Sequence, residues 1–184
     1  MSTILALDMS KRSTGYATFE IGSDVAFHGT WELGSEFTPD GGTYCKLHQS
    51  MSDLNLLGKI EYVYFEDPLA ATALHGHTNI NSLRVLTGLA AHAESWGEAM
   101  GCRVVQRVNM TTWRKSFLGT VKRGTKRMTL KELSIERCHQ LGFNPRNDDE
   151  ADALGILDYA CVALKIMPPW RKDEVLRPPL GGPR

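Results

Sequence analysis

Two short apolar runs that each stop on acid constrain this chain most. Thr3–Asp8 (TILALD) and Ile60–Phe65 (IEYVYF, followed by Glu66-Asp67 and then Pro68) are too short for core helices and read as buried strands. After a polar turn at Ser10-Lys11-Arg12-Ser13, Thr14–Ile21 is β-rich, and Val25–Leu33 repeats that pattern beyond Gly22-Ser23-Asp24. Three strands joined by such short turns predict an antiparallel meander. Gly41-Gly42 opens a segment with Leu47, Met51, Leu54 and Leu57 at helical spacing. A long Leu-, Ala- and Val-rich stretch, 79–100, is closed by Gly101, which can adopt the left-handed turn that ends helices. Cys102–Val108 predicts a fifth strand. Asn109–Leu118, Thr129–Leu141 (ending at Gly142) and Asn147–Met167 predict helices, the last capped by Asn147 or Asp148. The order βββαβαβααα predicts an α/β fold, a mixed five-stranded sheet flanked by helices. The stretch 168–184 holds five of the eight prolines and two adjacent glycines. It is expected to be an extended or mobile tail after a domain spanning 1–167.

With 184 residues, 42% of them apolar, the chain is the size of one domain and has enough apolar residues to fill a core. Lys plus Arg and Asp plus Glu both number 21, which excludes a polycationic arm or an acidic disordered protein. No apolar run is long enough to span a bilayer, and the start MSTILALD lacks the form of a signal peptide, so no membrane association is expected. Cys45, Cys102, Cys138 and Cys161 are scattered, as reduced thiols in a cytoplasmic protein would be. Beneath the zero net charge lies a strong segregation. Residues 1–70 carry a net −6, whereas Arg103–Arg137 carries +8, grouped on both sides of Gly124. A basic segment of this density suits a polyanion better than an ordinary solvated helix face.

The acids point to chemistry. If the first and fourth strands are parallel neighbours, Asp8 and Glu66 project from one edge of the sheet, where α/β folds usually bind ligands. Asp149 and Asp152, three residues apart at the start of the final helix, share one helix face, and Asp152 leads into the apolar run ALGIL. Any one of these acids alone reads as readily as a turn residue or a helix-dipole partner. Four together, without basic partners, would repel one another unless hard divalent cations such as Mg²⁺ or Mn²⁺ joined them. Two such ions clamp the attacking and leaving oxygens of a phosphoryl displacement.

Leu5-Ala6-Leu7-Asp8-Met9-Ser10 with Ser13-Thr14-Gly15-Tyr16-Ala17, Tyr62-Val63-Tyr64-Phe65-Glu66, and Asp149-Glu150-Ala151-Asp152-Ala153-Leu154 resemble, in order, the acidic motifs of RuvC-like Holliday junction resolvases. Trp113-Arg114-Lys115-Ser116-Phe117-Leu118-Gly119 and the basic stretch after it are similar to phage-type members. The resemblance runs over roughly residues 3–165. It implies an RNase H-like fold and a homodimeric, metal-dependent endonuclease. Such an enzyme nicks four-way DNA junctions symmetrically to leave 5′-phosphate and 3′-hydroxyl ends. It implies Asp8, Glu66, Asp149 and Asp152 as catalytic ligands of two Mg²⁺ ions, with Mn²⁺ as a substitute and Asp148 as an alternative to Asp149. Lys115, Lys122, Arg123, Lys126 and Arg127 would contact DNA. The helix over 79–100, with Leu83, Leu86, Gly88, Leu89 and Ala90, matches the dimer helix of the family or else simply covers the sheet. Bacterial members carry an aromatic residue three positions after the second acid, where this chain has Leu69.

Other features carry less. His75 and His77 lack further zinc ligands at suitable spacing and read better as phosphate contacts. Trp31, Trp96 and Trp113 read as core or interface residues, and Trp170 as a tail residue that touches DNA or nothing. Lys11 and Arg12 read as phosphate contacts or as a solvated turn. Three rival functions share parts of this pattern. One is an RNase H-like nuclease for other branched DNA or RNA. Another is a non-catalytic junction binder. The third is an actin-like kinase or ATPase, which needs two lobes and more residues than this chain has.

Overall fold

A computed structural model of the chain describes residues 2–68 and 80–176, with side chains described up to Lys172. Three strands, β1 (Thr3–Met9), β2 (Ser13–Glu20) and β3 (Ala26–Glu32), are followed by α1 (Asp40–Leu57), β4 (Ile60–Glu66), α2 (Ile80–Ala99) and β5 (Val104–Val108). Four helices complete the described chain: α3 (Met110–Leu118), α4 (Arg127–Gln140), α5 (Asp148–Ala163) and α6 (Pro169–Leu176). The sheet order is β3-β2-β1-β4-β5. The meander β1–β2–β3 is antiparallel, and β4 and β5 add in parallel on the other side of β1. The fold is therefore the expected mixed five-stranded α/β sheet flanked by helices.

Strand periodicity divides the core in two. Ile4 and Ala6 of β1 and Tyr64 of β4 face one cluster, shared with α3, α4 and α5. Leu5 and Leu7, with Val63 and Phe65, face the other, shared with α1 and α2. Helix α5 is buried almost all round from Glu150 to Asp158, which makes it the central element of the first layer. In the second layer α1 and α2 pack together, with His92 stacked on Tyr44 and the Trp96 indole donating to Ser52 Oγ at 2.9 Å. Leu89 and Ala90 of α2 are fully buried in this core, so these two residues cover the sheet.

Helix ends follow their local chemistry. Gly101 and Gly142, at φ 68° and 87°, close α2 and α4 with paired bonds that turn the chain back on the last helical carbonyls. The same arrangement ends α5, but Lys165 takes the left-handed position at φ 57°. That stop comes at Ala163, earlier than the expected Met167, because a lysine in that role gives no glycine signal.

A second correction concerns the segment read as an extended tail: its first part forms α6. Trp170 packs edge-on against Phe19 and Phe143, and its indole donates to the buried Asp158 at 2.9 Å. Arg171 grips both oxygens of the same carboxylate, with Nε 2.8 Å from Oδ1, the oxygen Trp170 uses, and Nη2 2.5 Å from Oδ2. Proline at the start of a helix costs nothing, because its missing N–H would have been unbonded there. Trp31 stacks on Tyr16 at 4.6 Å, while Trp96 and Trp113 are buried, as core residues should be.

Candidate active site

The four acids are brought to one face of the sheet by parity and by one glycine. Asp8 and Glu66 lie one step beyond Leu7 and Phe65, the last registered pair of the parallel β1–β4 ladder. Alternation gives them the same face as Ala6 and Tyr64, the face that α5 covers. Across the antiparallel ladder Asp8 sits opposite Gly15. A Cβ at Gly15 would collide with the Asp149 carbonyl group and lie 2.9 Å from Glu150 N. Only glycine lets the first turn of α5 come down onto the strand beside Asp8.

That turn is fastened from several sides. Asn147 caps α5 by accepting from Glu150 N at 2.9 Å and donates to Thr30 Oγ1 at 3.0 Å. Glu150 is fully buried, with His28 Nδ1 at 2.9 Å, the Thr30 hydroxyl at 3.0 Å and Arg146 Nε at 2.9 Å. Burial alone would raise its pKa, but these bonds and the Arg146 backbone N–H hold it below the ordinary value. Ser13 donates to Asp149 Oδ2 at 2.8 Å, tying the candidate ligand to the start of β2. Asp148 instead makes an ion pair with Lys131 of α4. Of the two neighbours, Asp149 is the one whose charge acts on Asp8.

Electrostatics mark the cluster. Burial raises the Asp8 pKa well above its ordinary value, and the nearby charges of Asp152, Glu66 and Asp149 raise it further. Glu66 is also raised, chiefly by burial, although the Trp113 indole donates to it at 3.0 Å and Arg114 opposes the shift. Like-charged carboxylates gathered in a half-buried place favour either a proton or a cation.

Here the structure departs from the expectation of acids without basic partners. Arg114 Nη2 donates to Asp152 Oδ2 at 2.8 Å, and the guanidinium lies over the Trp113 ring at 4.9 Å. The Trp113-Arg114 pair on α3 therefore touches two of the four acids. From the sequence, Trp113 reads as a core or interface residue, and Arg114 as part of the phage-type motif and the basic stretch, with no contact to the acids expected of either. Their adjacency on a helix capped by Asn109, directly after a strand, was the available signal. No group of three or more His, Cys, Asp and Glu side chains among the described residues forms a ready cation cage. One oxygen on each of Glu66, Asp149 and Asp152 is already held by a protein donor. The donor chemistry nonetheless fits a hard divalent cation. All four candidate ligands are carboxylates, and Asp152 Oδ1, on a residue 5% exposed, has no hydrogen-bond partner.

Part of the basic segment borders this cluster. Lys115 lies on α3, Lys122, Arg123 and Lys126 on the connection to α4, and Arg127 at the start of α4, all exposed. Arg127 is near enough to lower the Glu66 pKa. A hollow of about 330 Å³ beside Arg114 is lined by Lys115, Lys122, Thr111, Thr125 and Leu130. Lys11 and Arg12 are engaged elsewhere, with Asp40 at 3.5 Å and Glu36 at 3.2 Å. His75, His77 and Leu69 lie outside the described residues. No helix among the described residues is long and apolar enough to cross a membrane.

No family model matches the chain, and no curated protein is significantly similar to it. Solved structures do match. Thermus thermophilus RuvC in complex with a Holliday junction substrate superposes with a TM-score of 0.65 at 15% identity, covering 88% of this chain and 94% of that one. A second Thermus thermophilus RuvC structure gives 0.61 at 17% identity, covering 89% and 96%. The chain therefore has the RuvC-type fold over nearly the full length of these neighbours.

Proposed function

We propose that the chain is a metal-dependent endonuclease that resolves four-way DNA junctions by symmetric phosphodiester hydrolysis, leaving 5′-phosphate and 3′-hydroxyl ends. The observation that carries this reading is the convergence of Asp8, Glu66 and Asp149 with the buried Asp152 on one face of a RuvC-type sheet, beside a basic segment. Asp8, Glu66, Asp149 and Asp152 would hold two divalent cations, Mg²⁺ with Mn²⁺ as a substitute. Cations so held supply Lewis-acid polarisation of a phosphate and a more acidic water. The chain's own residues do the rest. Trp113 and Ser13 fix the carboxylates of Glu66 and Asp149 by donating to one oxygen of each, which leaves the other oxygen of each free of that bond. Lys115, Lys122, Arg123, Lys126 and Arg127 grip phosphates and set the strand across the acids, so binding weakens steeply with salt. Symmetric nicking needs two sites, and the reading includes a homodimer along α2, the helix that matches the family's dimer helix.

The test is cleavage of a synthetic four-way junction with Mg²⁺, beside a linear duplex, a flap and an RNA–DNA hybrid, with Asp8→Asn in parallel. Paired nicks in opposite strands of the junction, abolished by Asp8→Asn, support the reading. Cutting of flaps or hybrids with the junction intact replaces it with an RNase H-like nuclease of other substrates. Tight junction binding without cleavage in Mg²⁺ or Mn²⁺ replaces it with a non-catalytic binder.

A further inference from the structure

Two buried polar atoms at one contact lack partners, and both belong to the same ion pair. Asp152 uses Oδ2 to accept from Arg114 at 2.8 Å, while its Oδ1 is buried and unbonded. Arg114 donates through Nη2, while its Nε is buried and unbonded. The side chains are 6% and 14% exposed, so water does not readily complete either set. A guanidinium can meet a carboxylate with two parallel bonds, and a pair built for permanence would use both. This pair uses one, at the edge of a cluster of like charges that needs a cation.

We infer that Arg114 is an internal counter-ion that occupies the cation position of the acid cluster and leaves Asp152 when a divalent cation enters. The inference rests on the reading of the four acids as a cation site and adds how that site is guarded. In the cation-free chain, Arg114 offsets the repulsion among Asp8, Glu66, Asp149 and Asp152 and keeps the site folded. A divalent cation offers Asp152 a stronger partner for both oxygens, and the two positive charges cannot share the carboxylate closely. The displaced guanidinium has a place to go. Its side chain already lines the hollow with Lys115 and Lys122, where a DNA phosphate would meet it. Cation entry and phosphate grip are thus exchanged through one side chain. Lysine would serve less well in both positions, because it lacks the guanidinium that lies over the Trp113 ring beside Asp152 and can fork onto a phosphate.

The test is calorimetric titration of Mn²⁺ into the full chain without DNA, comparing wild type with Arg114→Gln and Lys115→Gln. The last variant removes the same unit charge from the neighbouring exposed position. Arg114→Gln is expected to bind Mn²⁺ about tenfold more tightly, which is ~1.4 kcal/mol, with Lys115→Gln within about twofold of wild type. A spectroscopic readout accompanies it: Mg²⁺ should change the tryptophan fluorescence of wild type as Arg114 leaves the Trp113 ring, and both Arg114→Gln and Trp113→Phe should lose that change. If Arg114→Gln does not fold, Arg114→Lys carries the test, with an affinity above that of wild type. Unchanged or weaker Mn²⁺ binding in the Arg114 variant, or equal gains in the Arg114 and Lys115 variants, overturns the exchange and leaves the cation site standing. No Mn²⁺ binding by any of the proteins overturns both.

Discussion

Replacing Gly15 with alanine perturbs the closest approach in the site while adding a single methyl group. The added Cβ would overlap the Asp149 carbonyl and lie 2.9 Å from Glu150 N. These are backbone atoms, so no side-chain rotation relieves the overlap. The first turn of α5 has to lift by about 1–1.5 Å to bring this contact to between roughly 3.0 and 3.5 Å. Overpacking of this kind costs about 1–3 kcal/mol. At roughly 2–4 °C per kcal/mol for a chain of this size, the midpoint of thermal unfolding falls by about 2–12 °C. The same lift carries Asp149 and Asp152 away from Asp8 and Glu66, and a misplacement of about 1 Å is enough to slow a positioned reaction ~100-fold. Circular dichroism melting and single-turnover junction cleavage measure the two effects together. Gly42→Ala is the control, since its Cβ would meet only Thr38 Cγ2 at an ordinary 3.4 Å within α1. That change is expected to be neutral or slightly stabilising. A Gly15→Ala protein that melts within about 1 °C of wild type and cleaves within about threefold of it refutes the packing argument.

Other consequences follow from the same geometry. Because the folded-state pKa of Asp8 is raised above its ordinary 3.8, the folded chain keeps a proton that the unfolded chain has released, so cation-free stability declines as pH rises from about 3.8 through the folded value. Asp8→Asn should lessen that decline, leaving the share of Glu66, and raise the melting midpoint at neutral pH in chelator while eliminating cleavage; an unchanged or lower midpoint contradicts the assigned burial and repulsion. Trp113→Phe keeps the ring but removes the donor to Glu66, so the Glu66 pKa rises further and the acidic limb of the cleavage pH profile moves up. Its cost in denaturant unfolding should be about 2–3 kcal/mol, about 1 for the lost hydrogen bond and the rest for the cavity that the smaller ring leaves at this buried position. Arg171→Ala strips Asp158, which is 1% exposed, of its charged partner and should cost about 3 kcal/mol in urea unfolding. A cost near zero there would mean that α6 does not fasten to α5.

Much of this protein is decided locally. The alternation of Ile4, Leu5, Ala6 and Leu7 already determines that β1 is buried on both faces and that Asp8 must emerge on the side of Ala6. Gly101 and Gly142 stop two helices because their backbones can take positive φ at no steric cost, and Asn147 starts α5 because its side chain can accept the free N–H groups there. The order of acidic strand, acidic strand and acidic helix is likewise a property of the sequence, and with it the candidate ligands.

Only the tertiary structure decided which atoms those acids meet. Asp148 and Asp149 are neighbours in sequence, yet one is drawn to Lys131 and the other to Ser13, which depends on where α4 and β2 lie around α5. Arg114 follows the last of the five strands, but the packing of α3 on α5, close against Gly155, sets it on Asp152. Trp170, in a segment whose composition argued against regular packing, packs against the core with its indole on the buried carboxylate of Asp158. These are contacts between residues 12 to 136 positions apart, fixed by sheet order and helix packing. Sequence periodicity reports the face a residue occupies, and partners at such separation are set by the fold that assembles the faces.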